Sequence, residues 1–302
     1  VGLGTLPARA ERQQLRDLGF RAVVLDVHVP LAPPAAPDPR RSLALGSWGD
    51  RVTEQGDGAV LAAARDAASL GLDVVLWPRF VAGRGGPLAT QQTHPDAAAI
   101  LALGRRYALA VEAAALLAER AQASALVLLE HELLPAERTP PPEIVDARAV
   151  LRQQAIAYAR PFHGALVVLS RGVSRLDLAA ARAELSAARA PEVVFGFHLG
   201  EVGPGVRDPS GALSNRLLSA AAAADGRLRV AEIAVAGNGP VRRRALFDGA
   251  RAALESAEAV DLALLSSWGL GADDAAARSS FDLRGAGEDA LRGLAAARSS
   301  GR

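Results

Sequence analysis

Short runs rich in Val, Leu and Ile recur along this chain, each followed by a longer Ala/Leu/Arg segment of helical period, and the alternation repeats eight times. Strand-type runs that alternate with helices build a parallel sheet, because parallel neighbours must be joined by a crossover. Eight such units close most simply into a (β/α)8 barrel, which typically takes roughly 250 residues. With 302 residues, half of them hydrophobic, residues 1–302 are expected to form one α/β domain.

The expected strands are Val1–Gly4, Arg21–Val29, Asp73–Phe80, Ala125–Leu133, Gly164–Ser170, Glu192–Leu199, Leu228–Val235 and Val260–Trp268. The first is weak or trimmed. Helices are expected near Ala8–Leu18, Gly58–Leu70, Ala97–Ala121, Val145–Arg160, Leu176–Arg189, Ala212–Ala224, Val241–Ala257 and Glu288–Arg298. Gly71 stands where a helix C-terminus needs a residue of free backbone conformation. The Pro-rich stretch Thr139–Pro142 follows the fourth strand, on the side where loops carry function. Pro and Gly clusters punctuate loops and mark no linker.

Composition excludes several classes. Arginine supplies all 34 basic side chains, 33 acidic residues nearly cancel them, and the net charge is +1, so charge makes no case for nucleic acid or an anionic membrane. Cys is absent, so redox compartment is not recorded in the sequence. No apolar run approaches the roughly 20 residues of a transmembrane helix. The sequence starts at Val1, which suggests a trimmed amino terminus. Removal of an export signal is one explanation, and it tilts the expected location toward secretion or the cell envelope.

A barrel gathers its chemistry at the carboxyl ends of its strands. Glu132 and Glu232 fall there on the fourth and seventh strands. Trp48, Trp77 and Trp268 fall on or after the second, third and eighth, and His28, His94, His131 and His198 on the same rim; only His163 lies at the opposite face. Three Trp on the rim of a chain with 4% aromatics suggest a surface on which sugars stack, although Trp also fills cores. Two carboxyls held about 5–5.5 Å apart would perform retaining glycoside hydrolysis, one attacking the anomeric carbon and the other protonating the leaving oxygen. Strand alternation sets Glu130 on the face of Glu132, one layer deeper, where it would either raise the acid's pKa or pair with Arg79. The same alternation puts Asp26 and His28 on one face.

The segment Tyr107–Leu133, with Leu129-Glu-His-Glu-Leu133 at its end, resembles the clan A glycoside hydrolases, and most of all glycoside hydrolase family 113, known for β-mannanases. Leu72-Asp-Val-Val-Leu-Trp-Pro-Arg79, Val230-Ala-Glu-Ile233, Trp268 and Ser280-Phe-Asp-Leu-Arg284 are similar to that family's third-strand, seventh-strand, eighth-strand and closing phrases. The resemblance covers nearly the whole chain through short motifs. It implies Glu132 as acid/base, Glu232 as nucleophile, Trp268 as sugar platform, a carbohydrate substrate and no cofactor. Trp77, Arg79, His131, His198, Asp26 and His28 are the expected substrate contacts. The chain departs from the pattern at His131, where clan A commonly has Asn and the nearer family a small polar residue. It departs again at Trp77 and Arg79, where Lys and His are expected.

Two other readings compete. Asp26 and His28, joined by His131 or His198 and a Glu, could hold a divalent cation for a metal-dependent hydrolase or isomerase, since imidazole and carboxylate suit zinc or manganese. Against this, no tight His-x-His pair is present. Alternatively the barrel binds glycans without cleaving them. His198 is either an orienting partner of Glu232 or an ordinary rim histidine, and Glu201 is a solvated loop charge. Ala82–Gly86 and Ala236–Gly239 match no phosphate-binding fingerprint and read as turns.

Overall fold

A computed structural model of the chain describes residues 6, 9–30, 56–82, 86–87, 97–129, 142–170, 193–198, 207–208, 211–212, 214–215, 218–219, 230–234, 248–249, 251–252, 255, 262–266 and 292. The strands are β1 (Ala22–Pro30), β2 (Asp73–Ala82), β3 (Gly86–Pro87), β4 (Ala125–Leu129), β5 (Ala165–Ser170), β6 (Val193–His198), β7 (Val230–Ala234) and β8 (Leu262–Ser266). Hydrogen bonding runs β1-β2-β4-β5-β6-β7-β8, and every neighbouring pair on this path is parallel. These are the second to eighth strands expected from the sequence, in circular order, and the chain is a (β/α)8 barrel. The expected first strand, residues 1–4, lies outside the described residues, as do the expected helices at 176–189 and 225–229.

β2 runs two residues past the expected Phe80 and turns back, pairing antiparallel with β3 through Val81↔Pro87 and Ala82↔Gly86. The Gly-rich piece therefore belongs to a hairpin, as its turn reading implied.

The described long helices are α1 (Arg9–Asp17), α2 (Asp57–Ser69), α3 (Ala97–Arg120) and α4 (Pro142–Tyr158). Pro142 opens α4, where its missing N–H is no loss. α2 ends at Leu70, and Gly71 at φ 73° lets its own N–H reach the Ala68 carbonyl at 2.9 Å while Leu72 reaches Ala67 at 3.0 Å. That double closure satisfies carbonyls the helix would leave unpaired. α3 closes the same way without glycine: Gln122 takes φ 51°, its N–H bonds Glu119 at 3.0 Å, and Ala123 bonds Ala118 at 3.0 Å. α1 is tied to α2 by Arg12, whose Nε and Nη2 meet Asp66 at 2.8 and 2.6 Å, with Arg9 joining the same carboxylate.

Each strand buries both faces, as a parallel sheet wrapped in helices requires. On one face Leu25, Leu76, Leu126 and Leu128 are buried alongside the Ala-rich inner sides of α2 and α3, including Ala64, Ala67, Ala114 and Ala118. The other face forms a cluster of Val24, Val75, Trp77, Ala125, Val127 and Val167, with Ala22 and Ala165 against it. All of these come from strands and are spaced two apart, so this cluster is the filling of the barrel lumen.

At the amino-terminal end of the barrel, Glu119 at the end of α3 accepts from the backbone N–H and from Nδ1 of His163, each at 3.0 Å. These bonds hold the Glu119 carboxyl below the usual carboxylate range. Next to this clasp, Gly164 sits against the Phe162 ring, and a Cβ there would lie 2.9 Å from the Ser124 carbonyl oxygen, which already accepts from Ala165 N–H at 3.0 Å. Backbone cannot step aside as a flexible side chain can. Gly164→Ala is therefore expected to lower stability by about 1–3 kcal/mol in a denaturant titration; a stability equal to wild type would show that the β4–β5 entrance relaxes freely.

Candidate active site

Because all strands on the main path are parallel, their carboxyl ends open at one face, and register decides which side chains belong to the lumen. Asp26 pairs with Trp77 and His28 with Arg79 across β1 and β2. These positions continue the phase of Val24 and Val75 in the lumen cluster. From the lumen residue Val167, pairing passes to Val194, then two and four residues on to Gly196 and His198. Gly196 pairs with Val230 and His198 with Glu232, and Glu232 pairs in turn with Leu264. Backbone register thus sets Glu232 in phase with the lumen and makes it the direct neighbour of His198, the final residue of β6.

Three of the expected substrate contacts meet one another. Arg79 Nε donates to Asp26 Oδ1 at 3.0 Å, and the guanidinium carbon lies 3.9 Å from the centre of the Trp77 ring. Asp26 is 0%, Trp77 2% and Arg79 6% exposed, so this is a buried ion pair stacked on an indole. His28, paired in register with Arg79, is half-buried, so exposure rises toward the carboxyl end of β1. The Trp77 indole N–H is buried with no hydrogen-bond partner.

Two expectations change. Trp77 is not a rim platform; it stands mid-strand in the lumen filling, because its phase on β2 points it among Val24, Val75 and Val127. The simple alternation that brought Glu130 and Glu132 to the lumen face also fails, since it is the odd-numbered Ala125 and Val127 that occupy the lumen cluster. Unbroken alternation would carry His131, not either glutamate, in phase with the lumen. Glu130, His131, Glu132, Trp48, Trp268, His94 and Glu201 all lie outside the described residues. The partner described for Arg79 is Asp26, and the expected partner Glu130 falls in the segment outside.

The metal reading loses its anchor. Asp26 and His28 do share the lumen phase, but a guanidinium already sits on the Asp26 carboxylate, and a divalent cation there would face that positive charge. Among the described residues no group of three or more His, Cys, Asp or Glu could hold a metal ion. The Asp26–Arg79 pair is what sequence reading missed, although matching phases on adjacent strands were available as the signal.

Neither protein-family models nor curated proteins match the chain. Solved structures do. A complex of a GH113 β-1,4-mannanase superposes with a TM-score of 0.61 at 14% identity, covering 95% of this chain and 92% of that one. The fold is that of the clan A glycoside hydrolases. The GH113 β-mannanase AaManA from Alicyclobacillus acidocaldarius, in complex with ManMIm, gives a TM-score of 0.59 at 17% identity over 96% of this chain and 91% of that one. A GH5-4 broad-specificity endoglucanase from an uncultured bacterium gives 0.58 at 12% identity, covering 97% and 85%. This chain therefore keeps the clan A barrel over nearly its whole length, while its sequence has diverged far from these relatives.

Proposed function

We propose that the chain is a retaining glycoside hydrolase acting on a β-linked oligo- or polysaccharide, with mannan-type chains the first to test. The observation that carries the reading is the His198↔Glu232 pairing on the lumen phase of β6 and β7, in a barrel shared with β-mannanases and an endoglucanase. In the first step the Glu232 carboxylate attacks the anomeric carbon as the glycosidic bond breaks, and the protonated Glu132 gives its proton to the leaving oxygen. In the second, Glu132 takes a proton from water, the hydroxide adds to the anomeric carbon, and the bond to Glu232 breaks. Two inversions leave the β configuration unchanged. No cofactor enters either step.

The mechanism makes one structural demand. Described β4 ends at Leu129 with its odd positions in the lumen phase. Glu132 joins Glu232 only if strict alternation is broken between 129 and 132, as bulges beside active sites do. A single experiment tests the reaction: hydrolysis of a panel of nitrophenyl β-glycosides and β-1,4-mannan oligosaccharides, with the first-formed anomer followed by proton NMR. Release of the β anomer is expected. The α anomer as first product would overturn retention, and saccharide binding without hydrolysis would favour the inactive glycan-binding barrel.

A further inference from the structure

The Asp26–Arg79–Trp77 stack is costly for a barrel filling. A buried ion pair commonly stabilises no better than apolar residues of the same size, and an unpartnered buried indole N–H is an added penalty. The cluster sits on the lumen phase of β1 and β2, below the half-buried His28 and facing the same lumen as Glu232. Its charges are what distinguish it: Arg79 is a fixed cation, held flat by Trp77, and Asp26 at 3.0 Å cancels it.

We propose that Asp26 is the charge-setting residue of the sugar site, resting on the glycosidase reading above: it neutralises Arg79, so the lumen accepts an uncharged sugar and rejects a uronate. A guanidinium is well suited to clasp a carboxylate in two parallel hydrogen bonds. With Asp26 already on the Nε side, a sugar carboxylate would meet a neutral pair whose anionic half repels it at low dielectric. An uncharged hydroxymethyl group meets no such repulsion and can use the same N–H groups as neutral donors. Arg79 is thus a latent anion site silenced by its neighbour.

The probes are two matched pairs of β-1,4 trisaccharides that differ only at C6: mannotriose against its mannuronate counterpart, and cellotriose against its glucuronate counterpart. Calorimetric binding at low salt is measured for wild type, for Asp26→Asn, and for Asp26→Asn combined with Arg79→Gln. Wild type is expected to bind the neutral member of at least one pair about ten-fold or more tightly than the acidic one. Asp26→Asn should shift that ratio toward the uronate by about ten-fold or more, and adding Arg79→Gln should remove the shift. A residue that merely held the fold would weaken both members alike and leave the ratio where it was.

Wild type binding the uronate as well as the neutral sugar, binding neither pair, or keeping its ratio in a folded Asp26→Asn protein would each overturn the proposal. If Asp26→Asn does not fold, the wild-type ratio decides alone. Neutral glycosides cleaved with an unmoved ratio would sink this inference and leave the glycosidase; the expected ratios without cleavage of any glycoside would do the reverse.

Discussion

Glu232→Ala abolishes turnover of every β-glycoside that the wild-type protein cleaves, while the melting curve by circular dichroism stays that of a folded barrel. The carboxylate makes the bond that replaces the glycosidic one, and a methyl group has no electron pair to offer. The expected fall in kcat/KM exceeds about 10^4-fold, which corresponds to roughly 5.4 kcal/mol at 1.36 kcal/mol per decade. The reasoning starts from register: Glu232 pairs with His198 and Leu264 on the lumen phase. Azide distinguishes loss of the nucleophile from general damage. A small anion entering the space left by the carboxylate should attack from the same side and leave an α-glycosyl azide from a β-glycoside. Full activity in the folded variant would remove Glu232 from the mechanism.

Glu132→Ala should behave differently, because its substrates differ in how much they need a proton. An alkyl or sugar leaving group departs poorly as an alkoxide, so loss of the acid should cost about 10²–10⁴-fold on oligosaccharides. A dinitrophenolate leaves unaided, and its release should stay near the wild-type rate in the first turnover. The second step then stalls for want of a base, which should appear as a burst followed by slow steady state. Added azide should restore turnover and yield the β-glycosyl azide, the opposite anomer from that of the Glu232 variant. Equal losses on good and poor leaving groups would contradict the acid/base role and send the search to other carboxylates near the fourth strand.

Some of this was legible residue by residue. The runs at 125–129, 165–170 and 193–198 carry continuous apolar sequence that can only be satisfied with both faces buried, and each is found as a parallel strand. Gly71 marked the end of α2 because a left-handed backbone follows naturally from a missing Cβ. Gln122, which closes α3 in the same geometry, gave no such sign, since nothing in a glutamine announces φ 51°. Phase was harder still. Which parity of β4 faces the lumen cannot be read from Ala-Leu-Val-Leu-Leu, where every residue is apolar; the neighbouring strands decide it through Val75↔Ala125 and Val127↔Val167.

The sequence by itself determined the order of strands and helices, the closed α/β architecture and the place of Glu232 on a strand next to one ending in His198, because hydrophobic period and chain length are local properties. Only the tertiary structure decided that Trp77 fills the lumen instead of standing on its rim, and that Arg79 belongs to Asp26, 53 positions away. Partnership between charges depends on distance and burial, which a chain acquires only when its strands are set side by side in one register.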